Sequence, residues 1–200
     1  ENTIGISDWD IIDEDGKFLR HAKLDDRLES NPKSLLAFDR KTWLNACAML
    51  IPKNLFDEVG LFDEKLRTTQ DYDMHLRMIE KGASYKIIHT PLFYSRAHAN
   101  QGSLAINDDT MTNSDMMHVN IISKLSKEDM RSYFSNSHEE FDKVYRSFVT
   151  NGYSLTPVAM IDKVIELYGP DDEFTKQVIG HSLVSINGDA SEELISTTLE

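Results

Sequence analysis

The apolar residues of this chain change their spacing near Asn107, and that change limits the folds open to the sequence. Before this point, short alternating or continuous apolar runs are typical of strands, with helical patterns between them. Beyond it, every patterned segment repeats with the period of a helix. The sequence therefore predicts an α/β region over residues 1–104, followed by an all-α region over residues 105–200.

The α/β region is predicted to contain a series of short strands. They cover residues 3–7, 9–12, 17–20, 43–51, 84–89 and 92–96. A turn joins the second and third strands, with Gly16 at a position that needs a positive φ angle. The segment 43–51 is apolar almost throughout, which indicates a strand covered on both faces with Cys47 buried inside it.

Helical patterns account for most of the remaining chain. They cover residues 53–59, 71–81, 109–125, 127–135, 138–150, 157–168 and 172–186. Typical capping residues mark several ends: Gly60 and Gly82 as stops, Ser126 with Asp129 and Ser137 with Glu140 at starts, and Thr156 before Pro157. On the helix 71–81, Tyr72, Leu76 and Ile79 share one face, which we expect to be buried.

The charge of the chain is acidic and unevenly distributed. The 200 residues carry a formal net charge of −13, of which residues 1–103 contribute −3 and residues 104–200 contribute −10. This balance argues against nucleic acid as a partner, because phosphate neutralisation requires a basic surface. The single cysteine excludes an internal disulfide and suits a reducing compartment. We therefore expect a cytoplasmic protein, at most peripheral to a membrane.

The stretch TQDYDMHLRMIEKG, residues 69–82, places two aspartates at the start of a predicted helix. Helix positions two apart point about 200° away from each other, so Asp71 and Asp73 cannot serve one site. Asp73 lies four residues before Arg77, the spacing of an ion pair on the solvent side. Asp71 lies in the first turn, where a carboxylate can complete the helix end or face a cleft as a general base. Spacing alone leaves both roles open.

A longer series of motifs surrounds these aspartates. An apolar run from Ala48 is followed by FDEVGLFDE (56–64), QDYD (70–73), LR (76–77), EKG (80–82), a strand, and RAHANQGS (96–103). This ordered series resembles the C-terminal half of the catalytic domain of family-2 inverting glycosyltransferases, which have the GT-A fold. The segment 7–17 is similar to the hairpin that follows the metal motif of such enzymes. The resemblance covers about residues 1–104, and the helical region carries no motif of its own.

The resemblance implies a role for Asp71. In this family an acidic pair precedes the helix, and its aspartate takes the proton from the acceptor hydroxyl as that group displaces a nucleotide diphosphate from the sugar. Gln70 replaces the first acid of the pair, whereas Asp71 matches the base. The expected substrates are a nucleotide-sugar donor and a glycan-type acceptor, as in polysaccharide biosynthesis.

The resemblance also implies a loop that closes over the donor diphosphate and its metal, Mn²⁺ or Mg²⁺. His98 corresponds to the family's histidine on this loop and is a candidate metal ligand, while Arg96 is suited to pairing with phosphate oxygens. Gln101 and Ser103 are further candidates for polar contacts from the same loop. Without the resemblance, an ordinary polar loop is the favoured interpretation of this segment, and the resemblance reverses that preference.

Asp8 and Asp10 have the spacing of the family's D-x-D metal motif, and two such carboxylates on a turn can hold Mg²⁺ or Mn²⁺. We expect them not to be that motif, because it follows a nucleotide-binding half and only seven residues precede Asp8. The nucleotide-binding half and its D-x-D motif are expected upstream of residue 1 in a longer protein. The 200 residues alone are then expected to be inactive.

A second function is compatible with the same residues. The chain would be a non-catalytic protein-interaction or oligomerisation module, built on a degenerate transferase and using the acidic helices for contact. An intact donor site upstream of Glu1 would favour the enzyme over this alternative. The sheet edge left by a truncated domain would also favour self-association of the fragment.

Overall fold

The computed structural model describes residues 2–38, 44–66, 69–99 and 108–186. The chain divides into two compact units, residues 1–117 and 118–200. The strands are β1 Thr3–Ser7, β2 Trp9–Ile12, β3 Phe18–Ala22, β4 Met49–Leu50, β5 Ser84–Ile88 and β6 Tyr94–Arg96. The helices are α1 Arg27–Ser30, α2 Pro32–Phe38, α3 Lys53–Val59, α4 Gln70–Glu80, α5 Asp108–Ser123, α6 Lys127–Phe134, α7 His138–Thr150, α8 Leu155–Tyr168 and α9 Glu173–Ile186. The predicted α/β region followed by helices is confirmed for the described residues.

Two small mixed sheets form the centre of the first unit. Their strand orders are β4-β1-β5 and β3-β2-β6, with β1 parallel to β5 and β2 parallel to β6. Only Asp8 separates β1 from β2, and its backbone bonds to Ile88 at the end of β5 and to Leu92 before β6. The chain thus passes from one sheet to the other at Asp8, and the carboxyl ends of two parallel strands meet there.

The core of the first unit lies around the central strand β1. Ile4 and Ile6, which project from the same face of this strand, are both fully buried. Apolar side chains from α2, α3 and α4 are buried in the same unit: Leu35, Leu36, Phe38, Leu55, Met74, Leu76 and Met78. The helix α4 packs against α2 and α3 and leads through Gly82, at a φ of 84°, into β5. The core therefore holds the start of α4 in a defined place.

The predicted strand 43–51 is wrong for the residues that the structure describes. A 3₁₀ turn occupies Ala46–Ala48, and only Met49–Leu50 forms a strand. The Asn45 side chain accepts a hydrogen bond from the Cys47 amide, which fixes the turn. Cys47 is exposed, and Leu50 is 80% exposed because β4 is an edge strand paired only with β1. Trp43 lies outside the described residues.

The predicted buried face of α4 is correct only in part. Leu76 is buried, whereas Tyr72 and Ile79 are only half-buried. Met74, His75 and Met78 complete the buried set. Since α4 has neighbours on more than one side, its buried surface is wider than a single stripe at helical spacing.

The second unit consists of helices in its described part, as predicted. Ser126 and Asp129 form a capping box at the start of α6, and Ser137 accepts a hydrogen bond from the Glu140 amide at the start of α7. The helix α8 begins at Leu155, so Thr156, which was expected at its start, lies inside the helix and is fully buried. The core contains Phe134, Phe141, Tyr145, Phe148, Met160 and Val164. No helix within the described ranges is long and apolar enough to cross a membrane.

Candidate active site

Asp71 lies in the first turn of α4. Thr69, at the N-cap position, is buried and makes no hydrogen bond from its side chain to the helix. The Tyr72 amide instead donates to Asp71 Oδ1 over 2.9 Å. The Asp71 carboxylate therefore accepts a hydrogen bond from one of the backbone amides that have no partner at the start of a helix. Asp71 thus helps to complete the start of α4.

The environment of Asp71 also favours proton uptake. Burial raises the pKa of its carboxyl group above the ordinary value, and hydrogen bonds from the Tyr72 amide and from its own amide oppose this rise only in part. Within the described ranges, no cation pairs with Asp71. A half-buried carboxylate without a neutralising partner binds a proton more readily than an exposed one. Completion of the helix and base chemistry are thus compatible at this residue.

Asp73 has a different environment, although it lies only two residues away. Arg77 Nη2 is 2.8 Å from Asp73 Oδ2, and Arg77 Nε donates to the same oxygen over 2.9 Å. Each side chain is only 26% exposed, so the pair is not the solvent-side contact that was expected. Arg77 also donates to the backbone carbonyls of Val59 and Leu61, on either side of the turn that follows α3. Asp73 thus positions an arginine that connects α4 to this turn.

Gln70, where the resemblance expects an acid, carries an unsatisfied polar atom. Its Oε1 is buried and has no hydrogen-bond partner within the described part of the chain. A buried carbonyl oxygen without a partner is uncommon, because the missing hydrogen bond costs free energy. The unpaired Gln70 oxygen thus belongs to the residue next to Asp71. The spacing of residues in the sequence did not indicate that this oxygen is buried.

His75 lies beneath the start of α4 and belongs to the core. Its Nδ1 is 2.8 Å from the Tyr85 hydroxyl on β5. Burial lowers the pKa of His75 to about 4, so the ring is neutral at neutral pH, and burial also raises the pKa of Tyr85. The pair is therefore a neutral polar contact that joins α4 to β5.

The segment that was expected to contact the donor diphosphate packs on the hairpin between β2 and β3. Arg96 Nη1 donates to the carbonyls of Asp13 over 2.9 Å and Glu14 over 2.6 Å. The Ala99 amide donates to the Glu14 carboxylate over 3.3 Å. His98 between them is exposed. Arg96 thus has a structural role in this conformation, and Gln101 and Ser103 lie outside the described residues.

Asp8 and Asp10 are engaged by protein groups. Asp8 is only 1% exposed; its Oδ1 accepts from the Leu24 amide over 2.8 Å, and its Oδ2 lies 3.1 Å from His89 Nδ1. Asp10 Oδ1 lies 3.0 Å from His21 Nδ1. The carboxylate of Asp8 therefore already has the donors that its burial requires.

The described side chains do not by themselves fit a divalent metal. No group of three or more histidine, cysteine, aspartate or glutamate side chains within the described ranges is arranged to hold an ion. His98 alone is a single candidate ligand, whereas Mg²⁺ or Mn²⁺ takes several oxygen ligands.

Sequence reasoning did not find the association of His89 with Asp8. The two residues are 81 positions apart, but Asp8 follows β1 and His89 follows β5, and these strands are parallel neighbours with Ser7 paired to Ile88. Side chains that follow the ends of adjacent parallel strands meet at one edge of a sheet. Correct pairing of the strands 3–7 and 84–89 would have been the signal for this contact.

The chain is similar in sequence to rickettsial proteins that carry the name uncharacterized glycosyltransferase. One from Rickettsia bellii is 30% identical over 190 residues, which cover 93% of this chain and 25% of that protein. One from Rickettsia felis is 37% identical over 110 residues, covering 54% of this chain and 18% of that protein. One from Rickettsia typhi is 28% identical over 162 residues, covering 78% of this chain and 50% of that protein.

The chain thus spans half or less of the length of these three relatives. No family model matches the chain, and no solved structure matches it. The similarity to these relatives supports the assignment of the chain to a glycosyltransferase.

Proposed function

We propose that this chain is the C-terminal part of a family-2 glycosyltransferase domain of the GT-A fold, followed by a helical region. The whole protein transfers a sugar from a nucleotide-diphosphate donor to a hydroxyl of a glycan-type acceptor, with inversion at the anomeric carbon. Asp71 is the general base. The similarity to the rickettsial relatives supports glycosyl transfer, and the ordered motifs over residues 48–103 support the finer assignment.

The observation that carries the proposal is the contrast between the two aspartates of α4. Asp73 is paired with Arg77 and is occupied in holding α4 to the turn after α3. Asp71 is half-buried, has no cationic partner within the described residues, and has a pKa raised by burial. A general base works best when its pKa approaches the working pH and its carboxylate is not neutralised by an ion pair. Asp71 has a raised pKa and lacks the ion pair that Asp73 makes with Arg77, so the base is assigned to Asp71.

The proposed reaction needs one proton transfer and one displacement. The carboxylate of Asp71 accepts the proton of the acceptor hydroxyl, and the oxygen forms a bond to the anomeric carbon of the donor sugar. The bond between that carbon and the diphosphate oxygen breaks with its electron pair, so the nucleotide diphosphate leaves from the opposite face. The new glycosidic bond has inverted configuration. Water exclusion and the developing charge on the diphosphate require groups beyond those described.

We place the donor diphosphate near the segment 96–98 on the basis of the resemblance alone. His98 is exposed there and free of the core. Arg96 holds the β2–β3 hairpin through two carbonyls, and it would contact phosphate only after exchanging those hydrogen bonds. His98 is a single candidate ligand, so a Mn²⁺ or Mg²⁺ ion that neutralised the leaving group would need further ligands from outside the described residues.

The experiment compares Asp71→Asn with Asp73→Asn in the full-length protein from which the chain comes. Release of nucleotide diphosphate is measured with a panel of nucleotide sugars and with the organism's own glycan fraction as acceptor. We expect Asp71→Asn to lower kcat on the order of 10²–10⁴-fold, the usual contribution of a positioned base. Asp73→Asn should retain most of the activity, because the neighbouring pair is structural.

Equal, modest losses in both variants would contradict the role of Asp71 and leave it as a residue that completes the helix. Absence of transfer by the folded unsubstituted protein across the panel would instead favour the alternative, a non-catalytic interaction module. Donor binding, measured separately by titration calorimetry, distinguishes a lost base from a lost substrate site. The proposal requires that Asp71→Asn leave the donor Kd unchanged.

A further inference from the structure

A chain of alternating aspartates and histidines lies where β1 passes into β2. His21 contacts Asp10 over 3.0 Å through Nδ1 and lies 3.5 Å from Asp8 through Nε2. His89 lies 3.1 Å from Asp8 through Nδ1 and 2.7 Å from Asp26 through Nε2. We call these five residues the His–Asp chain. It joins β2, β3, the end of β5 and the residue before α1.

Asp8 is the buried centre of the His–Asp chain. One of its oxygens is satisfied by the Leu24 amide, while the other faces His89 and His21. Burial opposes ionisation of Asp8, but the hydrogen bonds from Leu24 and His89 outweigh it and lower the pKa of the carboxyl group. Asp8 is thus held as an anion, and its second oxygen needs a proton from a histidine.

His89 can satisfy both of its neighbours only as a cation. Each of its ring nitrogens is within hydrogen-bond distance of a carboxylate oxygen. A neutral imidazole has one N–H and can donate to only one of them, whereas an imidazolium donates to both. The hydrogen bonds to Asp26 and Asp8 accordingly raise the pKa of His89 above its ordinary value.

Two ion pairs lie beside the His–Asp chain, on α1 and β5. Arg27, in α1, pairs with Asp25 over 2.7 Å. Lys86, on β5, pairs with Glu29 over 3.2 Å, and Glu29 also accepts a hydrogen bond from the Ile87 amide. The pair of Lys86 with Glu29 joins α1 to β5 at any pH at which the Glu29 carboxylate is ionised. The link between Asp8 and Asp26 depends on the histidine.

We propose that the His–Asp chain is a pH-sensitive clasp on the connection between β3 and α1. With His89 protonated, the ring holds Asp26 against the buried Asp8, and residues 23–26 are fixed over the strand junction. When His89 loses its proton, one of its two ring nitrogens no longer carries a hydrogen. The carboxylate of Asp8 or Asp26 at that nitrogen then faces a lone pair instead of an N–H donor. The connection is then released from the junction, and the Leu24 amide loses protection from solvent.

The direction of the effect follows from linkage. A histidine whose pKa is higher in the folded than in the unfolded protein stabilises the fold fully below the unfolded value of about 6.5. That contribution is lost as the pH rises through the raised value of His89. The clasp is therefore closed in mildly acidic solution and opens in the alkaline direction.

The test follows the 200-residue chain by NMR. The Cε1–H signal of His89 is titrated, and hydrogen exchange of the Leu24 amide is measured at pH 6 and pH 9 after correction for the intrinsic exchange rate. We expect His89 to titrate above the ordinary histidine value and the protection of Leu24 to fall by about tenfold or more between the two pH values. Asp26→Asn should lower the pKa of His89 and reduce this change. His98→Gln alters an exposed histidine outside the His–Asp chain. This variant should show the same change in Leu24 protection between pH 6 and pH 9 as the unsubstituted chain.

The proposal is overturned if His89 titrates at or below the ordinary value, or if Leu24 is equally protected at both pH values. His89→Gln is a second check, since a variant without the titrating ring should show no pH-dependent change at Leu24. If that variant does not fold, Asp26→Asn still decides the matter, because it leaves the histidine and the buried carboxylate in place. An unchanged titration of His89 in Asp26→Asn would contradict the bridge.

Discussion

At the scale of single residues, burial acts differently on neighbouring carboxylates. Asp73 is paired with Arg77, whereas hydrogen bonds from the Leu24 amide and from His89 lower the pKa of Asp8. Asp71 has backbone amides but no cation within the described residues, so the cost of burying its charge is not fully offset. A carboxylate that the fold tolerates in this state is a candidate for function rather than for stability.

This balance makes Asp71→Asn a stability experiment as well as a kinetic one. Because the pKa of Asp71 is raised in the folded protein, its contribution to stability is present below the unfolded value of about 3.9 and is lost as the pH rises through the folded value. Asparagine cannot ionise, so the variant should gain stability relative to the unsubstituted chain between pH 3.5 and pH 7. Urea unfolding at the two pH values, followed by circular dichroism, measures the difference.

Asp73→Asn is the matched control for that experiment, with the opposite expected sign. It removes the partner of Arg77 and should cost up to about 1 kcal/mol at pH 7, the upper range for a partly exposed pair. If Asp71→Asn instead lost the same stability at both pH values, its contribution to the helix start would dominate, and the argument from burial would fail.

At the scale of elements, Arg77 shows how α4 is oriented. Its guanidinium bonds to Asp73 on its own helix and to the carbonyls of Val59 and Leu61 around Gly60. Gly60 has a φ of 81°, which places these carbonyls in a turn that few other residues adopt without strain. The turn after α3 and the first two turns of α4 are thus connected by one side chain.

Arg77→Ala should therefore cost more than the loss of an ordinary helix ion pair. Hydrogen bonds from a charged donor contribute about 1.5–3 kcal/mol, and the substitution leaves two carbonyls and a carboxylate without this donor. Arg146→Ala is the control, since Arg146 makes an i,i+4 pair with Asp142 on α7 while 51% exposed. That change should cost a few tenths of a kcal/mol. Equal losses in chemical denaturation would mean that the connection to α3 adds nothing.

The elements also show what the sequence can predict. The helix α7 and the strands β1 and β2 have their predicted bounds, because capping residues and apolar spacing are local signals. The strand predicted over residues 43–51 was wrong, because the apolar composition of this segment did not reveal that β4 is an edge strand and that Asn45 starts a turn. The contact of His89 with Asp8 depends on strand order, which no local pattern encodes. The position of Asp71 on α4 was predictable, whereas its burial was not.

At the scale of the whole molecule, the chain has two cores of different construction. The first unit surrounds a parallel strand pair that joins residues about 80 positions apart, and the second is built from consecutive helices. Contacts between distant residues cost more chain entropy than contacts between neighbouring helices. The two units are therefore expected to differ in the chain entropy that their folding costs.

Phe148→Ala tests whether the two cores are energetically separate. Phe148 is fully buried in the second unit, with edge-to-face contacts to His118 at 4.9 Å and Tyr153 at 5.0 Å between ring centroids. Truncation of a buried phenylalanine typically costs about 3–5 kcal/mol. Hydrogen exchange resolved by residue should lose protection across α6 to α8, while the amides of β1 and β5 keep theirs. Val149→Ala, at the next position and 37% exposed, should change little in either unit. A parallel loss of protection in β1 and β5 would show that the two cores unfold together, and the division into separate units would then be one of geometry and not of stability.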